Sequence, residues 1–131
     1  MSNKEKIIEE ITEFHKNIEK WFRGDSENQT ALYQNLVSGF SKDFKMINGN
    51  SDIVTLDMLS EWLPTVFGKF PGRSIQVENI EVSYSDHHGL ATYTEIQVTG
   101  DATNKRKSSA VFLLDGEKAS WLHLIEDWIE R

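Results

Sequence analysis

The 131-residue sequence predicts an α+β domain, with helices first and an antiparallel sheet after them. Two observations carry that reading. Up to about residue 70 the apolar residues recur every three or four positions, the spacing of one helix face. After Gly72 the spacing becomes two, and the segments so patterned are separated by Asp, Gly and Asn turns. Hydrophobic residues are 38% and charged residues 27%, globular values that suit one domain over 1–131.

Ile7, Ile11, Phe14, Ile18 and Trp21, widened by Ile8 and Phe22, form the stripe of an amphipathic helix that stops at Gly24. Leu32, Leu36 and Phe40, with Tyr33 and Val37 beside them, continue as a second helix capped by Asp25 or Ser26. Residues 43–48 read as a short strand, and 49–52 are turn chemistry. Thr55 caps a third helix carrying Leu56, Leu59, Trp62 and Leu63. Pro64 ends it, kinks it or starts a new turn, because proline lacks an N–H and crowds the preceding turn.

Four strands follow, over 74–85, 90–99, 105–114 and 121–129, joined by turns at 86–89, 100–104 and 115–118. The first slips its alternation between Val77 and Ile80, which predicts a bulge near Glu78-Asn79.

Composition excludes several functions. Lys and Arg number 14 against 21 Asp and Glu, and a net charge of −7 repels nucleic-acid backbones. With no cysteine there is no disulfide, thiolate zinc site or Cys nucleophile. No stretch approaches the roughly 20 apolar residues of a membrane span, and the first residues lack an apolar signal core, so the expected location is cytoplasmic. There is no Gly-rich phosphate loop, Ser nucleophile elbow or metal triad, so no cofactor and no metal are assigned. His15 reads as a boundary or surface residue beside the first stripe, and Lys105-Arg106-Lys107 as a solvated turn.

Three passages resemble the nuclear transport factor 2-like superfamily, in its SnoaL-like and ketosteroid-isomerase-like branch. Trp21-Phe22-Arg23-Gly24-Asp25 before the Leu32-Tyr33 helix is similar to that family's helix, Gly-Asp turn and second helix. Residues 43–49 resemble the short strand before its third helix, and Asp115-Gly116 with Trp121 and Trp128 resembles the opening of its final strand. The resemblance implies a cystatin-like cone, in which a curved sheet wraps the long helix and leaves a cavity open at one end. It also implies a homodimer. Asn48 falls where the isomerases carry their catalytic Asp, and Asn17 or Phe14 near their oxyanion Tyr, so both isomerase roles are missing.

The turns themselves set a register. A four-residue turn at 86–89 pairs Val82 with Tyr93 and Ile80 with Glu95, and a five-residue turn at 100–104 pairs Tyr93 with Val111. The inward face then carries Val82, Tyr93, Val111 and Leu113, with Glu95 among them, while Ala110 and Phe112 point outward. A one-residue slip would instead turn Glu95 to solvent. The last strand points either Trp121, His123, Ile125 and Asp127 inward, or Leu122, Leu124, Glu126 and Trp128; the resemblance favours the first. Glu95, His123 and Tyr93 are the candidate catalytic group, in a pocket lined by Phe14, Ile18, Trp62, Asn48, Val82 and Val111. The expected partner is a small apolar molecule, processed by an isomerase, dehydratase or hydrolase reaction. The alternative is a non-catalytic binding or oligomerisation module. Large apolar residues on both faces of the later strands predict a homodimer packed sheet to sheet.

Overall fold

The computed structural model describes residues 1–130. Helix α1 spans Asn3–Arg23. Its start is a capping box: Ser2 Oγ accepts from the Glu5 N–H at 3.1 Å, and the Glu5 carboxylate accepts from the Ser2 N–H. Gly24, at φ 75°, closes its end in the left-handed conformation. The buried stripe is Ile7, Ile11, His15, Ile18, Trp21 and Phe22, so His15 lies inside it and not at its boundary.

Asn28, not Asp25 or Ser26, caps α2 (Gln29–Ser38), its side-chain oxygen accepting from the Ala31 N–H. That helix stops before Phe40, which opens strand β1 (Phe40–Ile47). A three-residue strand β2 (Ile53–Thr55) folds back on β1. Thr55 caps α3 (Leu56–Trp62), and Pro64 sits at the start of a 3-10 turn over Leu63–Val66, where a missing N–H costs little.

The remaining strands are β3 (Arg73–Tyr84), β4 (His88–Thr99), β5 (Ala102–Leu114) and β6 (Ala119–Glu130). Together they form one curved, open, six-stranded sheet in the order β2-β1-β6-β5-β4-β3. It is mixed: β1 runs parallel to β6, and every other pair is antiparallel. The three α-helices pack against it, which makes an α+β cone.

Two irregularities and two turns set which side chains enter the cone. The bulge in β3 falls where the alternation slips, between Glu78 and Glu81, with Asn79 at φ 57°. The β3–β4 turn is tighter than the four-residue expectation, pairing Tyr84 with Gly89 and Val82 with Ala91 in place of Tyr93, and with the bulge this sets Val77, not Ile80, against Glu95. The β4–β5 connection is a two-residue turn, Gly100-Asp101, with Gly100 at φ 60°, a tight hairpin form that matches strand twist. Pairing is therefore Thr99 with Ala102, Glu95 with Arg106 and Tyr93 with Ser108. That register differs by three from the five-residue-turn expectation and reverses β5. Ser108, Ala110 and Phe112 are buried inside, while Val111 and Leu113 turn outward. In β6 an extra residue between Trp121 and His123 switches the alternation. Trp121 is buried, and after the bulge Glu126 is buried while Ile125 is exposed, so neither single parity holds along the strand.

The interior divides into two apolar clusters. One gathers Ile7, Ile11, Phe44, Phe112 and Trp121; the other gathers Ile18, Trp21, Phe22, Leu36 and Leu63. Phe14 and Leu59 touch both. Ile11→Ala removes a fully buried side chain and should lower unfolding free energy by about 2–5 kcal/mol in urea titrations. Ile129→Ala, at 58% exposure, should change it by less than about 0.5 kcal/mol.

Candidate functional site

Where the two clusters part, a cavity of about 340 Å³ remains. Helix α1 contributes Phe14, His15, Ile18 and Phe22, and β1 contributes Phe40, Phe44 and Met46. Leu59 and Trp62 come from α3, and Trp121 and Leu124 from β6. The polar residues come mainly from the strands of the meander: Tyr93, Glu95 and Gln97 on β4, Asn104 and Arg106 on β5, Glu126 on β6 and Arg73 on β3. The apolar wall is held by ring contacts, Phe14 standing edge-on to Phe40 and to Trp121 at centroid distances of 5.4 Å.

The polar group centres on Glu95, which is buried. Its Oε1 lies 3.1 Å from His15 Nε2, and its Oε2 accepts from Gln97 Nε2 at 2.6 Å. His15 Nδ1 donates to the Ile11 carbonyl oxygen at 2.7 Å. Both ring nitrogens thus face acceptors, so a proton must lie between Nε2 and the carboxyl. Burial disfavours the charged form of each partner. For Glu95 the His15 hydrogen bond and charge, with Arg106 and Gln97, outweigh it and hold the carboxyl well below its ordinary range. For His15 burial is likewise outweighed, by Glu95, and the ring binds its proton more tightly than usual. The site therefore holds an imidazolium–carboxylate pair.

Arg106 stands opposite Glu95 in the next strand. Its Nη1 donates to Glu126 Oε1 at 3.3 Å, its Nη2 donates to Asn104 at 3.1 Å, and its guanidinium lies over the Trp128 ring. Burial raises the Glu126 carboxyl to about 7, against the pull of Arg106 and with the push of Glu95. Burial, with the Glu95 charge, also raises the Tyr93 phenol well above its ordinary value, so it stays a neutral hydroxyl. Tyr93 and Ser108 are cross-strand partners whose buried hydroxyls share the same interior space, and Arg106 Nε is buried without a hydrogen-bond partner. Arg73 lies 3.9 Å over the Phe70 ring and donates to Thr99 Oγ1 at 3.0 Å.

Of the residues expected at the site, Tyr93, Glu95, Phe14, Ile18 and Trp62 line this cavity. Asn48 lines an adjoining cleft that shares Met46, Leu59, Trp62, Arg106 and Glu126 with the cavity. Its Oδ1 is occupied by the backbone N–H groups of Asn50 and Asp52, which makes it a turn residue. Val82 packs against the Ile7–Phe112 cluster instead of lining the cavity. His123 and Val111 pair with each other on the outer face, beside Lys45 in a separate groove, because of the β4–β5 register and the β6 bulge. His123 is therefore away from Tyr93. His15, Arg106 and Glu126 take the places beside Glu95. His15 was visible as the position four after Ile11 and three before Ile18. Arg106 follows from centring the hairpin on Gly100-Asp101, which places it across from Glu95.

No family model and no curated protein sequence matches the chain. Solved structures do. An NTF2-like protein of unknown function from Pseudomonas aeruginosa superposes with a TM-score of 0.87 at 26% identity, over 93% of this chain and 97% of that one. An NTF2-like protein from Cytophaga hutchinsonii superposes at 0.71 and 13% identity, over 98% and 100%. A protein from Novosphingobium aromaticivorans described as a candidate scytalone dehydratase superposes at 0.71 and 11% identity, over 95% and 82%.

The His15–Glu95 pair should behave as a unit. His15→Gln and Glu95→Gln should each cost about 3–5 kcal/mol at neutral pH, since each strands a buried partner. The double variant should fall short of their sum by more than about 1 kcal/mol; additive costs would contradict the pair. Because the Glu95 carboxyl is depressed, its stabilisation is present above its ordinary value of 4.5 and is lost as pH falls toward about 2. The stability gap between wild type and Glu95→Gln in denaturant melts should narrow over that range.

Proposed function

Starting from a chain that is a nuclear transport factor 2-like protein with the cystatin-like α+β cone, we propose that it binds a small, largely apolar molecule in the cone cavity and moves protons on it. One observation carries this reading: a mostly aromatic and aliphatic cavity has one cluster of buried polar groups on one side, with Glu95 and Glu126 both lining it. Glu126, raised to about 7, suits a proton carrier near neutrality. The His15–Glu95 pair holds charge in place beneath it. The isomerase role of a carboxylate at the end of β1 is not supported, because Asn48 stands there with its oxygen engaged in its own turn.

Thermal-shift screening of alicyclic and aromatic carbonyl and epoxide compounds tests the binding. A ligand at 100 times its Kd should stabilise the fold by about 2.7 kcal/mol. For any compound turned over, Glu126→Gln should retain binding and lose about 10²–10⁴ of the rate. Tight binding without turnover across the panel would support a non-catalytic binding module. No binding anywhere in it would overturn the reading.

The outer sheet face supports a homodimer packed sheet to sheet. Leu90 and Ile125 are 45% and 44% exposed there, on the face that also carries Val111. Sedimentation at micromolar concentration should give twice the chain mass, and Ile125→Lys should give one chain mass. Phe112, fully buried inside, is not a probe of this surface. A wild-type mass of one chain would overturn the dimer.

A further inference from the structure

We infer that the ligand is an elongated, mostly apolar molecule in two parts, one filling the cone cavity and the other, uncharged, filling the adjoining cleft, with its middle passing between α3 and the Arg106–Glu126 pair. This rests on the ligand-binding reading and adds the shape and class of the molecule.

The two spaces are continuous. Five residues border both: Met46, Arg106 and Glu126 from the strands, and Leu59 and Trp62 from α3. The cleft therefore begins where the cavity ends, between the sheet and that helix. The cavity holds about 340 Å³ and the cleft about 460 Å³, so more than half of the joined space lies outside the inner chamber. A compact ligand would leave the larger part unfilled.

The cleft wall specifies the outer part. Among the described residues that border it, Arg106 and Glu126 alone are charged, and they pair with each other at 3.3 Å. Both amide oxygens of the wall are taken. Asn48 Oδ1 accepts from the N–H groups of Asn50 and Asp52, and Asn50 Oδ1 accepts from Trp128 Nε1 at 3.2 Å. Gly49 lets this turn lie against the indole, which a Cβ would strike. The surface left for a ligand is that of Val54, Met58, Trp62 and Trp128, which selects an aromatic or aliphatic part. Helix α3 has no buried residue, and its Met58 and Trp62 are 50% and 45% exposed. Met58 borders the cleft and not the inner cavity, so only a ligand that reaches outward covers it.

The test uses 2-naphthol, 6-phenyl-2-naphthol and 1-phenyl-2-naphthol. The two phenyl isomers have the same composition, but the first is straight and the second bent. Calorimetric titration of the whole protein should show the straight isomer binding at least about tenfold tighter than either other probe, because it alone buries its added ring. The three methionines report where each probe sits: Met46 borders both spaces, Met58 the cleft alone and Met1 neither. In NMR spectra of isotope-labelled methionine methyl groups, 2-naphthol should shift Met46, and the straight isomer should shift Met46 and Met58 together. Met58→Gln, at an exposed position, should fold normally and reduce the straight isomer's advantage over 2-naphthol several-fold. A bent isomer or 2-naphthol that binds as well as the straight isomer, or a straight isomer that shifts Met46 and not Met58, overturns the two-part ligand and leaves the ligand-binding reading standing. Binding of none of the three up to their solubility limits overturns both.

Discussion

The contact between His15 on α1 and Glu95 on β4 ties the long helix to the centre of the sheet through two side chains that apolar surroundings would ordinarily neutralise or exclude. Each is kept charged by the other, and each has a further partner, the Ile11 carbonyl for the ring and Gln97 for the carboxylate. Such a pair adds little net stability compared with a well-packed apolar substitute, because both ions lose their water. What it does add is position. The helix cannot rotate or slide on the sheet without stranding a charge, so the faces of α1 and β4 that border the cavity are held in one relation.

The cavity depends on that relation. Ile7 and Ile11 on one side of His15, and Ile18, Trp21 and Phe22 on the other, belong to separate apolar clusters. A continuous aliphatic stripe would merge the two into one filled core. A polar residue at the middle of the stripe divides them, and rigid rings with fixed edge-on contacts line the gap. Gly89 shows how closely the rest is packed: a Cβ there would run into the Ile7 side chain. Gly49 has the same relation to the Trp128 indole, beside the adjoining cleft. Close packing at these two glycines thus contrasts with the gap left between the clusters.

The second constraint is parity. A strand places alternate residues on opposite faces, so one bulge or one turn of different length exchanges the interior set for the exterior set. Arg106 sits in a run of three basic residues, which in isolation is a solvated segment. Register alone puts it across from Glu95 and inside the cone. Glu126 and His123 exchange expectations for a similar reason: the extra residue after Trp121 lets the Trp and the later Glu both face inward.

The α+β order, the amphipathic first helix, the Gly24 stop, the Thr55 cap and the β3 bulge were all legible in the chain, because each rests on local chemistry: a period, a capping oxygen, a positive φ or a break in alternation. Tyr93 and Glu95 do face inward as expected, but the pairings with Val82, Ile80 and Val111 that placed them there are not the ones the strands make. The identities of their neighbours were not legible. Whether 100–104 makes a five-residue loop or Gly100-Asp101 a two-residue turn is settled by how β5 meets β4 and β6 along its whole length, and that choice swaps Val111 for Arg106 and Ser108. The parallel pairing of β1 with β6 is equally non-local, joining segments about 80 residues apart. A helix stripe or a cap is a property of neighbours in sequence. A charged cluster inside a cone is a property of strands brought together, and its members acquire their protonation states only when the surrounding core removes water from them.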